Sequence, residues 1–158
     1  MSGSFGVGVW HPKSEVNIGT LWRSAFQLGA SFVFTIGRRY RRQASDTYST
    51  PHNVPLWHFE TLDELKVPHG HELVAVEFCA GSSGLPEFGH LAQAVYLLGA
   101  EDHGLPAHVL ARCHRAVSIP CAPGRPQSFN VAVAGSLVMY DRLAKRSAGR
   151  PALKAVAR

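Results

Sequence analysis

Apolar residues along this chain follow two alternating patterns. Short runs that suit a buried strand are followed by stretches in which apolar side chains return every three or four positions. Phe5 to Trp10 is the first such run, apolar and glycine-containing, and His11-Pro12-Lys13 closes it as a loop. The next segment predicts a helix. Ile18, Leu21, Trp22, Ala25, Phe26 and Leu28 recur at helical spacing, Asn17 is placed to cap its N-terminus, and Gly29 to stop it. Ser31 to Ile36 is β-rich and predicts a second strand. Strand, helix, strand in this order gives a parallel βαβ unit.

From Tyr40 to Phe59 the chain turns polar, with Pro51 and Pro55, and predicts a long surface excursion of the kind that often carries function. Thr61 to Lys66 predicts a short helix, Leu73 to Phe78 a third strand, and Pro86 to Leu91 a further helical turn or two. Ala94 to Leu98 is the next strand, Pro106 to Cys113 a helix opened by proline, and Ala116 to Ile119 a last strand stopped by Pro120. Ser128 to about Arg146 predicts a long helix with Phe129, Val133, Leu137 and Tyr140 on one repeating face. Alternating strands and helices predict an α/β fold, a mostly parallel sheet flanked by helices.

Composition narrows the setting. The 158 residues suit one domain, taken as 1–147, with 148–158 as a basic flexible tail. No apolar window is long enough for a membrane span and the N-terminus has no signal-peptide pattern, so a cytoplasmic protein is expected. Cys79, Cys113 and Cys121 form neither a disulfide framework nor a thiolate zinc pattern and read as reduced, mostly buried thiols. The histidines, His69, His71, His103, His108 and His114 among them, have no carboxylate or cysteine at ligand spacing, so no metal is expected. A net charge of +5 favours a polyanionic partner. Arg38, Arg39, Arg41 and Arg42 form one basic cluster, the candidate RNA contact, and Arg142, Lys145, Arg146, Arg150, Lys154 and Arg158 a second.

The chemistry-bearing segments are three. They are Asn17-Ile-Gly-Thr-Leu-Trp-Arg23, Leu98-Gly-Ala-Glu-Asp-His-Gly-Leu-Pro106 and Ile119-Pro-Cys-Ala-Pro-Gly-Arg-Pro-Gln-Ser-Phe-Asn130. Gly6-Val-Gly8 lacks the third glycine of a dinucleotide site, and no phosphate loop is present. Gly99 and Gly104 instead follow an apolar strand, where bare backbone can approach a ligand at a strand end. Ser128 and Asn130 stand where they can cap the last helix.

Together, and in this order, the three segments resemble the motifs of the SpoU/TrmH family of RNA ribose 2′-O-methyltransferases, over about Val7 to Leu143. The resemblance implies a SPOUT-type fold with a deep trefoil knot at the C-terminal end, which periodicity alone would never propose. It implies S-adenosyl-L-methionine as cofactor, held by Val76, Leu98, Gly99, Glu101, Ile119, Ser128 and Asn130. It implies catalytic roles for Arg23, Asn17, Ser128 and Asn130, and a homodimer in which Arg23 of one subunit faces the cofactor of the other. Trp22, Phe26, Val133 and Leu137 are the candidate interface residues. A guanidinium is a poor base because it holds its proton strongly, so gripping phosphate and stabilising an alkoxide suit Arg23 better than general-base chemistry.

Two cues on the substrate conflict. The short chain is similar to the minimal members that act on the tRNA wobble position, which favours tRNA. The run Gln-Ser-Phe-Asn-Val-Ala-Val-Ala is more like that of D-loop and ribosomal RNA enzymes. Ribosomal RNA is therefore the alternative substrate, and a noncatalytic RNA-binding module the alternative class.

Overall fold

The computed structural model describes residues 3–41 and 53–148. Seven parallel strands form one sheet: β1 (Phe5–Trp10), β2 (Phe32–Ile36), β3 (Leu56–Phe59), β4 (Glu72–Val76), β5 (Ser83–Gly84), β6 (Ala94–Leu98) and β7 (Arg115–Ser118). Their spatial order is β3-β2-β1-β6-β4-β7-β5. The helices are α1 (Glu15–Leu28), α2 (Ala107–Leu110) and α3 (Val131–Ser147), with a 3₁₀ turn at Leu62–Glu64.

The four strands β1, β2, β4 and β6 read as continuous apolar runs because both faces of the sheet are covered. Alternate side chains of each strand enter different cores. Val7, Val9, Val33, Val74, Val76, Tyr96 and Leu98 point to the face covered by α1 and α3, where they meet Ile18, Leu21, Val138 and Met139. Phe34, Ile36, Leu73, Ala75, Val95 and Leu97 point to the other face, against Leu62, Leu65, Leu105 and Val109. Burying each Val, Leu, Ile, Phe or Met of these sets contributes about 1.5–3 kcal/mol, so the sheet is held from both sides. On the first face α1 and α3 pack directly against each other. Trp22 is part of this core, and its indole N–H donates to the Val54 carbonyl at 2.8 Å.

Several expectations need correction. Ser14, not Asn17, caps α1: its hydroxyl accepts the Asn17 backbone N–H at 3.3 Å, and Asn17 lies inside the first turn. Gly29 does end the helix, in the left-handed region at φ 83°. Leu56–Phe59, read as part of the polar excursion, is the edge strand β3 pairing with β2; residues 42–52 of that excursion, Arg42 included, lie outside the described residues. Pro86 to Leu91 forms turns, not a helix, because Leu85 and Phe88 are drawn into the core from an irregular backbone. Asn130 caps α3, accepting from the N–H groups of Ala132 and Val133, whereas Ser128 stands ahead of it and makes no cap.

The second basic cluster divides. Arg142 is 2% exposed, donating to the carbonyls of Leu91 (2.5 Å) and Ala92 (2.8 Å) and lying over the Phe5 ring. Lys145 reaches the carbonyls of Leu85 and Phe88 and the Asp141 carboxylate. Arg142 is thus enclosed and Lys145 is engaged by groups of the fold at its surface, while the tail from 149 onward lies outside the described residues. The three cysteines are free and half-buried, less enclosed than expected. No helix among the described residues is long and apolar enough to cross a membrane.

Candidate active site

The sequence-order reversal of the sheet falls between β1 and β6, which are neighbours in space and far apart in the chain. Ligands of parallel α/β sheets bind beyond the carboxyl ends of strands near such a reversal. A cavity of about 300 Å³ opens there, lined by Val76, Glu77 and Phe78 at and beyond the end of β4, residues 98–104 at and beyond the end of β6, Ile119 after β7, and Gln127, Ser128, Phe129, Val131 and Ala134 around the start of α3. Its volume is at the low end of the roughly 300–1,000 Å³ typical of small-molecule sites.

The loop after β6 is folded back on itself. Ala100 and Gly104 exchange two backbone hydrogen bonds, at 3.3 and 3.0 Å. A Cβ on Gly99 would lie 2.4 Å from the Gly104 carbonyl carbon, and one on Gly104, itself at φ 63°, would lie 2.3 Å from Glu77 Oε2. Only glycine permits both approaches. Glu77 fastens the arrangement: one carboxylate oxygen accepts the Leu105 N–H at 2.9 Å and the other the Phe78 N–H at 3.0 Å.

The three motifs meet through side chains. The Asn17 amide donates to Glu101 Oε1 at 2.9 Å, and the Asn130 amide donates to Asn17 Oδ1 at 3.0 Å. Glu101 Oε2 accepts the Lys13 backbone N–H at 3.1 Å. Burial pushes the Glu101 carboxyl upward, but hydrogen bonds from Asn17 and from the backbone of Glu101, Lys13 and Ser14 outweigh it and hold the group below its ordinary value. Glu101 is therefore an anion that organises residues 84 and more positions away. Asn17 acquires its role from this bridge rather than from capping. Lys13 adds an ion pair with Asp102 on the next residue of the loop.

Of the residues singled out in the sequence, Val76, Leu98, Gly99, Glu101, Ile119 and Ser128 line the cavity. Asn17 and Asn130 stand beside it through Glu101. Arg23 does not line it; it is exposed on α1. Arg38 braces the β1–α1 loop by donating to the Pro12 and Lys13 carbonyls, and Arg41 donates its backbone N–H to Glu15 at 2.7 Å. Arg38, Arg39 and Arg41 are all exposed near the strand ends. Gly104, singled out with Gly99 for close backbone approach, lines the cavity too, whereas Phe78 and Gln127 are cavity residues that the sequence did not single out. A phenylalanine just beyond a strand and before a glycine-rich turn is the one signal available for Phe78.

A ligand with an apolar ring and a charged polar end fits this lining. Val76, Leu98, Val131 and Ala134 are buried apolar walls, while Glu77, Glu101 and Ser128 supply acceptors for a cationic or hydrogen-bonding portion.

Residues 4–140 match the model of the SpoU rRNA Methylase family, and the chain belongs to that family. A 23S rRNA (uridine(2479)-2′-O)-methyltransferase of Streptomyces viridochromogenes is 29% identical over 158 aligned positions, covering 89% of this chain and 53% of that protein. This chain therefore spans about half the length of that relative. The crystal structure of the SpoU methyltransferase AviRb from the same organism, in complex with AdoMet, superposes with a TM-score of 0.79 at 25% identity, covering 95% of this chain and 60% of that one. A structure concerned with 2-OH methylation of C/U34 on tRNA has a TM-score of 0.74 at 26% identity and covers 95% of this chain and 100% of its own.

Proposed function

We propose that the protein is an S-adenosyl-L-methionine-dependent RNA methyltransferase that modifies a ribose 2′-hydroxyl, with tRNA as substrate. The observation that carries this reading is the Glu101–Asn17–Asn130 hydrogen-bonded chain, which ties three distant motifs together beside one cavity. Bound in that cavity, S-adenosyl-L-methionine supplies an electrophilic methyl group. Val76, Leu98, Gly99, Ile119 and Ser128 would hold it, with Glu101 as the nearby anion and Asn130 fixed by Asn17.

Transfer to an alcohol needs the oxygen held in line with the methyl carbon and its developing charge stabilised as the proton leaves. Arg23 suits the second task and the gripping of a neighbouring phosphate. Its position outside the cavity of its own chain favours a homodimer in which it serves the partner's site. The outer face of α3 supports this assembly: Val133, Leu137 and Tyr140 are 46%, 38% and 62% exposed and line a shallow apolar depression with Thr20 and Leu28. The trefoil knot belongs to the same reading. It is favoured by the way residues 119–131, after β7, return to line one cavity with the loop after β6. We also place the protein in the cytoplasm and take Arg38, Arg39 and Arg41 as RNA contacts.

tRNA is favoured by the tRNA-methylation structure that this chain covers from end to end. Ribosomal RNA is the second reading, favoured by the Streptomyces relative. Incubation with methyl-labelled cofactor and, separately, total tRNA and ribosomal RNA tests both. Label in tRNA that disappears in Arg23→Ala supports the first, label confined to ribosomal RNA supports the second, and full turnover by Arg23→Ala removes the role given to that residue.

A further inference from the structure

We infer that Phe78 is the platform on which the base of the target nucleotide stacks while its ribose enters the cavity. The inference rests on the RNA-modifying reading above and adds to it the residue that positions the substrate.

Phe78 lies two residues beyond the end of β4 and lines the cavity while remaining 62% exposed, which puts its ring at the opening. Phe129 lines the same cavity, whereas several other large exposed apolar residues have different surroundings. Val133, Leu137 and Tyr140 share the outer face of α3, and Trp57 stacks on Phe32 with ring centroids 4.8 Å apart. Among the described residues the Phe78 ring stacks on no other. Its backbone is nonetheless firmly held, because Glu77 beside it is bonded to the Val117 carbonyl, to Leu105 and to Phe78 itself. An exposed aromatic ring on an anchored strand end is costly in water and pre-arranged for a flat partner.

The surroundings select the partner. The buried walls Val76, Leu98, Val131 and Ala134 already offer apolar surface for the cofactor's ring, leaving Phe78 at the rim for a second ligand. The carboxyl groups of Glu77 and Glu101 line the same cavity and disfavour a phosphate there, while Asp102 beside them is paired with Lys13. A neutral base face meets no such opposition. Single-stranded RNA is commonly read by stacking unpaired bases on aromatic side chains, and this contact tolerates any base. Stacking the base fixes the attached ribose relative to the cavity, so Phe78 acts as a positioning residue. Phe129, 42% exposed and lining the same cavity, gives the opening a second aromatic wall.

The test uses full-length protein, Phe78→Ala and Phe78→Trp. A short single-stranded RNA carrying one 2-aminopurine is titrated in the presence of S-adenosylhomocysteine, and cofactor affinity is measured separately by calorimetry. The wild type is expected to quench the 2-aminopurine, Phe78→Ala to lose the quench, and Phe78→Trp to restore it, with cofactor affinity equal in all. In methyl transfer, Phe78→Ala is expected to raise KM for RNA about 10-fold with little change in kcat. Quenching that is absent in the wild type or survives in Phe78→Ala overturns the inference, as does a cofactor affinity that falls with the ring. If the wild type quenches through Phe78 but methylates no RNA, the stacking role stands and the methyltransferase reading falls. Methylation with an unchanged KM in Phe78→Ala has the opposite meaning.

Discussion

The two ends of α3 are fastened by contrasting chemistry. At its N-terminus Asn130 joins Asn17 and Glu101 in a half-exposed chain of amide and carboxylate contacts around the cavity. Toward its C-terminus Arg142 is buried against the Leu91 and Ala92 carbonyls and the Tyr96 hydroxyl, while Asp141 receives His90, whose other ring nitrogen lies 2.6 Å from the same hydroxyl. The difference separates two uses of polar residues. Groups deep in the core must be fully partnered, and losing one partner strands the others. Groups at the cavity rim can be rehydrated, so they are cheap to lose for stability and expensive to lose for the geometry they impose.

The largest effect is expected at the buried end. Arg142→Met leaves two carbonyls and a hydroxyl without their donor and should lower unfolding free energy by about 3 kcal/mol in urea titrations. Methyl transfer per folded molecule should stay within about twofold of wild type, since Arg142 does not line the cavity. A variant that keeps its stability and loses its activity would erase the contrast.

Asn17→Ala probes the other end. It removes the bridge between Glu101 and Asn130 and is expected to lower kcat/KM about 100-fold. Unfolding free energy should change by only about 1 kcal/mol, because water replaces the lost contacts.

A smaller effect separates the ends by pH. Burial lowers the pKa of His90, opposed by its hydrogen bond and attraction to Asp141 and assisted by Arg142 and Lys145. The folded protein then binds this proton less readily than the unfolded chain. Its contribution is complete above the ordinary value of 6.5 and declines as pH falls below it. His90→Gln should flatten the loss of stability between pH 7 and 5 measured by urea unfolding. Glu101 works in a lower window. Its pKa is held down in the fold, so its contribution is present above the ordinary 4.5 and is lost as pH falls through the folded value. Glu101→Gln should make acid unfolding slightly less steep below that point, the smallest of these changes.

Much of this division was legible in the residues. The strands were visible because apolar runs covered on both faces leave little else to read, and β6 falls on Ala94–Leu98 as expected. Glycines after that strand pointed to the cavity for the reason the structure gives, close backbone approach at Gly99 and Gly104. What the sequence concealed was pairing across distance. Ser14 and Asn17 are both good caps, and only the contact with Glu101 shows why Asn17 has the other task. Arg142 sits in a basic run that resembles solvated surface, and nothing local to it reveals that the turns before β6 leave two carbonyls for it to satisfy. The Leu56–Phe59 strand was hidden by its polar and proline-bearing flanks, which suit a sheet edge as well as a loop.

The most direct test is a comparison of wild type and Asn17→Ala by mass-spectrometric mapping of nucleosides after reaction with methyl-labelled cofactor and RNA, alongside their melting curves. A labelled 2′-O-methylnucleoside from the wild type, formed about 100-fold more slowly by a variant that melts almost as well, is the predicted result. A methylated base in place of ribose, no methylated nucleoside at all, or equal rates from both proteins would contradict a site assembled through Asn17.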